Sequence, residues 1–136
     1  MTNTLTELQS HVFVYGTLRR GEERDINHLQ PAPVFIGNSQ IQGTLYHLGS
    51  YPGVRLGGSS PVQGEVYQIT PELEHQLDAI EAVWPPDGAE YSRQKVQVKI
   101  CQPTGAVVHL WCLIYEASLA RISGMPKIVS GDWLCR

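Results

Sequence analysis

The stretch RQKVQVKIC, residues 93–101, alternates strictly, with Val96, Val98 and Ile100 on one side and Gln97 and Lys99 on the other. Successive side chains of a strand point to opposite faces, so this pattern predicts a half-buried strand rather than a helix. Pro103-Thr104-Gly105 supplies a turn, and AVVHLWCLIY, residues 106–115, returns as an apolar strand, completing a hairpin. A hairpin with one apolar face has to be covered, and three further segments can cover it. VFVY (12–15) is apolar on both faces and reads as a buried strand, while IQGTLYHL (41–48) and VQGEVYQI (62–69) each carry an early glycine before their β-formers. Glycine inside a strand marks a bulge or a sharp bend, the device by which sheets turn barrel corners.

Helical signals are few. Thr70 stands where an N-cap belongs and Pro71 at the first helical position. Leu73, Leu77 and Ile80 then fall on one stripe through PELEHQLDAIE. A second short helix is expected within 22–30, and the tail MPKIVSGDWLCR, with its breakers and single Trp133, reads as a wrapping loop. The expected fold class is α+β: a small mixed β-barrel with one or two flanking helices. The 136 residues suit a single domain over 1–136, with 1–10 a flexible N-terminus.

Composition narrows the function classes. Hydrophobic residues make up 42% and charged ones 17%, enough apolar side chains for a core. A net charge of -3 gives no reason to expect nucleic acid or an anionic membrane as partner. Cys101, Cys112 and Cys135 are odd in number and have no C-x-x-C spacing, which argues against a disulfide framework or zinc and suits a reducing compartment. The N-terminus lacks the basic flank and apolar core of a signal peptide, and no apolar run reaches membrane-spanning length. A cytoplasmic location is expected.

Candidate chemistry is sparse. G-x-S-x-G, H-E-x-x-H and nucleotide-binding glycine loops are absent, and the five histidines (11, 28, 47, 75, 109) show no ligand spacing. Tyr15, Gly16, Thr17 and Leu18 form a loop directly after the first strand. There Gly16 allows a close backbone approach or a positive φ, and exposed N–H groups can cradle an anion. Read alone, the loop is better explained as an ordinary strand-ending turn, because a lone Y-G-T is a weak signal. Glu81 follows Leu77 by four residues, on the core-facing stripe, where partial burial would raise a carboxylate pKa and make it a usable base near neutral pH. Its plainer alternative is a solvated helix-end glutamate. Glu90 falls in a turn-rich stretch, and Asp78, off the stripe, is expected in solvent.

VFVYGTLRRGE, YPGVRL, VQGEVYQI, LDAIEAV, EYSRQKVQV and SGDWL, in that order, together resemble the γ-glutamylcyclotransferase-like family, in its small bacterial branch. The resemblance spans about residues 12–134. It implies a compact barrel with flanking helices in which Tyr15, Gly16, Thr17 and Leu18 hold the glutamyl end of a substrate. It also implies that Glu81 is the general acid/base and, as weaker transfers, that Tyr91 and Tyr115 line the pocket. Two departures concern the rim: Ala82 stands where the family commonly has glycine, and the loop VWPPDGAE is long.

The implied reaction is the cyclisation of a γ-glutamyl amine or amino acid to 5-oxoproline with release of the free amine, without metal or cofactor. A non-catalytic module holding a small carboxylate metabolite on the same fold is the alternative. An interaction surface built on exposed Trp84 or Trp133 is a third. The amine half is expected to meet loops around 51–60 and 82–90, and the chain to be a monomer or weak homodimer.

Overall fold

The computed structural model describes residues 10–80 and 91–136. Six strands, β1 (Ser10–Val14), β2 (Val34–His47), β3 (Pro52–Leu56), β4 (Ser60–Ile69), β5 (Tyr91–Cys101) and β6 (Val107–Ala117), form one mixed sheet. Helix α1 (Pro71–Ile80) packs on it, and a single turn, α2 (Leu119–Ile122), follows β6. The strand order β1-β4-β2-β3-β6 closes when β6 meets β1 through a parallel bridge between Val12 and Leu113. β5 pairs antiparallel along the whole of β6. The result is a closed five-stranded mixed barrel with flanking helical segments, as the sequence predicts.

The β5–β6 hairpin appears where alternation places it. Val98 and Ile100 enter the barrel core with Cys112 and Ile114, while Gln97 and Lys99 face out. β1 is buried on both faces: Phe13 and Tyr15 join the interior cluster with Leu45, Val54, Val66 and Trp133. Val12 and Val14 join a second cluster under α1, against Leu73, Leu77 and Tyr115. Leu73 and Leu77 are wholly buried, each burial worth about 1.5–3 kcal/mol. Thr70 caps α1 as expected, its hydroxyl accepting from the Leu73 N–H at 3.2 Å.

Several expectations need correction. β2 begins at Val34 rather than at residue 41, and its irregular register lies between Phe35 and Gly37, not at Gly43 or Gly64. Gly64 serves a different need, because a Cβ there would lie 2.4 Å from the Phe13 ring and 2.5 Å from the Val14 carbonyl oxygen. It lets β1 and β4 close on each other. The region 51–60 contains β3 instead of being only a loop, with Pro52 at the first strand position, where its missing N–H is tolerated. Within 22–30 only a 3-10 turn forms, Ile26–His28. Ser10 belongs to β1, not to a flexible N-terminus. Trp133 is 1% exposed and buried, so it offers no interaction surface. Trp84 lies outside the described residues.

The segment between β1 and β2 is folded tightly around Asp25, which is buried. Its carboxylate accepts from the Gly21 N–H at 2.9 Å, the Asn27 N–H at 2.9 Å and the Asn27 side-chain amide at 2.8 Å. Burial pushes this carboxyl up, but the N–H groups of Gly21 and Asn27, the Asn27 amide and nearby His28 outweigh it and hold the pKa below the usual carboxylate range. With the folded pKa below the unfolded one, the stability it lends is present above the unfolded value and is lost as pH falls through the folded one. The melting-temperature gap between wild type and Asp25→Asn should therefore be widest near pH 7 and shrink below about pH 4. A gap that stayed constant into acid would show that the carboxylate charge is not what ties the loop.

Candidate functional site

β1 ends at Val14, and the chain turns at once: the Arg19 N–H donates to the Gly16 carbonyl at 3.0 Å. The Arg24 and Ile26 N–H groups donate to the carbonyls of Thr17 and Leu18, each at 2.9 Å. The loop's carbonyls are thus turned into its own framework. The N–H groups of Thr17 and Leu18 donate to no other described residue. Gly16 does not have a positive φ. It is needed for close approach, since a Cβ there would sit 2.6 Å from Cγ and 2.8 Å from Cδ of Pro52. Glycine here lets β3 close over the loop.

Behind the loop lies a buried ionic network. Arg19 Nε donates to Glu65 Oε2 at 3.0 Å, and an Arg19 terminal nitrogen to Asp132 Oδ1 at 2.9 Å. Glu65 Oε1 also accepts from the Arg20 N–H at 3.0 Å and the Tyr67 hydroxyl at 2.8 Å. Burial, with help from Glu65, pushes the Tyr67 hydroxyl up to about 12, so it remains a donor. Trp133 Nε1 donates to Glu22 at 2.9 Å. The tail motif SGDWL therefore works as a clamp on the first loop.

In front of the loop is a cavity of about 190 Å³. Gly16, Thr17 and Leu18 border it with Tyr51, Tyr91, Tyr115, Arg24 and Ile80, the last residue of α1. That size admits a group like a single amino acid and is below the range for drug-sized ligands. Three tyrosine hydroxyls fix its walls. Tyr15 donates to the Tyr115 carbonyl at 2.6 Å and accepts from the Val54 N–H at 3.2 Å, stapling β3 to β6. Tyr91 donates to the Pro52 carbonyl at 2.7 Å. Tyr115 donates to Asp78 Oδ1 at 2.8 Å.

Asp78 corrects the expectation of a solvated carboxylate. It is half-buried, and its other oxygen takes a 3.0 Å hydrogen bond from Arg93, which also pairs with Glu74. On a helical wheel Asp78 is off the leucine stripe, yet it meets Arg93 of β5 and Tyr115 of β6. One ion pair and one hydroxyl thus fix Asp78 in the last turn of α1, beside Ile80 at the cavity, and Arg93–Glu74 ties down its first turn.

The predicted residues Tyr15, Gly16, Thr17, Leu18, Tyr91 and Tyr115 all come together at this one cavity. Glu81, the residue after Ile80, lies outside the described residues, as do Ala82 and Glu90. Arg24, Tyr51 and Pro52 also line the cavity, although the sequence reading did not single them out. YPGVRL was the available signal for two of them, and for Arg24 there was none. No cluster of metal-ligating side chains occurs among the described residues, nor any helix long and apolar enough to cross a membrane.

Residues 12–135 match the model of the γ-glutamyl cyclotransferase, AIG2-like family. The γ-glutamylcyclotransferase family protein YtfP of Escherichia coli K12 is 35% identical over 126 residues, covering 92% of this chain and 96% of that protein. The solution structure of ytfP from Escherichia coli superposes with a TM-score of 0.58 at 34% identity, over 91% of this chain and 96% of that one. A γ-L-glutamyl-butirosin B γ-glutamyl cyclotransferase of Niallia circulans is 29% identical over 108 residues, 78% of this chain and 67% of that protein. A match running from the first strand to the Trp133 turn shows that the chain belongs to the γ-glutamylcyclotransferase, AIG2-like family.

Proposed function

We propose that the protein cyclises a γ-glutamyl amine or γ-glutamyl amino acid to 5-oxoproline and releases the free amine. One observation carries this reading: the loop Gly16–Leu18 and the end of α1, which leads directly into Glu81, border the same small cavity. The relatives' names support the same reaction class.

The reaction demands little of the protein. A γ-glutamyl group carries its nucleophile, the α-amine, within five-membered-ring reach of its γ-carbonyl carbon. Folding the substrate so that the two meet can lower the barrier by about 7–11 kcal/mol in favourable cases. The N–H groups of Thr17 and Leu18 hold the α-carboxylate, and the tyrosine walls exclude water from the folded substrate. Glu81 takes a proton from the ammonium, whose pKa is near 8 as for a free α-amino group. The amine attacks the γ-carbonyl, and Glu81 returns the proton to the departing nitrogen as the C–N bond breaks. No cofactor enters.

Incubating the purified protein with a panel of γ-glutamyl amines and amino acids should release 5-oxoproline and free amine in equal amounts. Thermal stabilisation by glutamate-like ligands with no product from any member would sink the enzyme reading in favour of a binding module.

A further inference from the structure

Arg24 stands apart from the other described residues lining the cavity. It alone among them carries a charge. Its peptide N–H is fixed to the Thr17 carbonyl at 2.9 Å, so its backbone belongs to the glutamyl-holding loop. Its side chain is exposed at the mouth and reaches across to the end of α1, with one terminal nitrogen 3.5 Å from the Ile80 carbonyl. Among the described residues no carboxylate pairs with it, whereas Arg19, Arg55 and Arg93 are each taken up by carboxylates. A guanidinium offers five N–H donors in a fork that fits a carboxylate. One long hydrogen bond leaves most of that fork available.

The cavity thus offers two separate anion-holding elements: the N–H groups of Thr17 and Leu18 on the loop, and the Arg24 guanidinium at the mouth. A γ-glutamyl amino acid has two carboxylates, one on the glutamyl half and one on the amino acid to be released. A γ-glutamyl alkylamine has only the first. Resting on the cyclotransferase reading, we infer that Arg24 grips the carboxylate of the leaving group, making γ-glutamyl amino acids or peptides preferred over γ-glutamyl alkylamines.

The test compares γ-glutamyl-alanine with γ-glutamyl-ethylamide, which differ only in that carboxylate, against wild type, Arg24→Lys and Arg24→Gln. Wild type should favour the alanine compound in kcat/KM, and Arg24→Gln should cut the alanine-to-ethylamide ratio by about tenfold to a hundredfold, as a charge-assisted hydrogen bond implies. Arg24→Lys, which keeps charge but loses the fork, should fall between. The wild-type ratio should also decline with added salt, because the guanidinium is exposed. An unchanged ratio in Arg24→Gln, whether both rates fall together or neither does, overturns the assignment. Should wild type cyclise neither compound, the cyclotransferase reading fails, and affinities for the same pair decide Arg24 separately. Equal binding of both by wild type then overturns it; a preference for the alanine compound that is lost in Arg24→Gln upholds it.

Discussion

Glu81→Gln should keep the folded barrel and lose turnover of γ-glutamyl substrates by about 10²-fold or more, the usual worth of a positioned general acid/base. The substitution is nearly isosteric and removes only the ability to take and return a proton. Loss through a misplaced helix is not expected. α1 is fixed by Leu73 and Leu77 in the core, by Asp78 on Tyr115 and Arg93, and by the Thr70 cap, none of which involves residue 81. On the proposed mechanism KM should change little, because there the loop N–H groups, rather than Glu81, hold the ground state. The rise of kcat/KM with pH that reports ionisation of the base should vanish in the variant, while its melting temperature stays near that of wild type. A Glu81→Gln protein that cyclised γ-glutamyl substrates at the wild-type rate would remove Glu81 from the mechanism and leave the cavity without an assigned base.

Elements are legible in a sequence where their side-chain pattern is periodic. Val96, Val98 and Ile100 mark β5, and Leu73, Leu77 and Ile80 mark α1. Local chemistry is legible when each residue's role depends on its neighbours in the chain. The first half of β2 is different. Asn38, Ser39 and Gln40 carry no strand pattern of their own, and they are held as strand by β4, which pairs with them through Glu65, Gly64 and Gln63. β3 is hidden by Pro52 and Gly53, and it is a strand through its pairing with β2 and its single bridge to β6.

Gly16 is expected from the sequence to admit a bound group or a positive φ, but what approaches it is Pro52, a partner found only once β3 is placed. Asp78 looked solvated because helical periodicity reports one face at a time, and its partners Arg93 and Tyr115 arrive from other strands. Arg24 carried no signal at all, since nothing in RRGEERD tells which arginine will be buried, which will be paired and which will reach a cavity. Periodicity finds elements. Meeting points between elements come only from the fold.

Glu65→Ala should destabilise the protein by about 3–5 kcal/mol, the cost of leaving a buried charge without its partner. Arg19 is 7% exposed and Glu65 6%, so water cannot replace the lost carboxylate. Glu65 answers three donors, Arg19 Nε, the Arg20 N–H and the Tyr67 hydroxyl, and its removal orphans all of them. Asp132 still touches Arg19, but through the other end of the guanidinium and from a more exposed position. Urea unfolding at pH 7 measures the loss directly.

Replacing both partners separates the pair's own worth from the penalty of breaking it. Arg19→Met with Glu65→Leu should lose clearly less than the sum of the single changes, because neither half of the buried pair is left as a lone charge and Asp132, which loses Arg19, is the more exposed carboxylate. Additive losses, or a Glu65→Ala cost under about 1 kcal/mol, would mean that the network does not hold the loop. Because Glu65 also anchors the Arg20 N–H, the same variant should weaken glutamyl binding even at temperatures where it stays folded, linking the buried pair to the cavity in front of it.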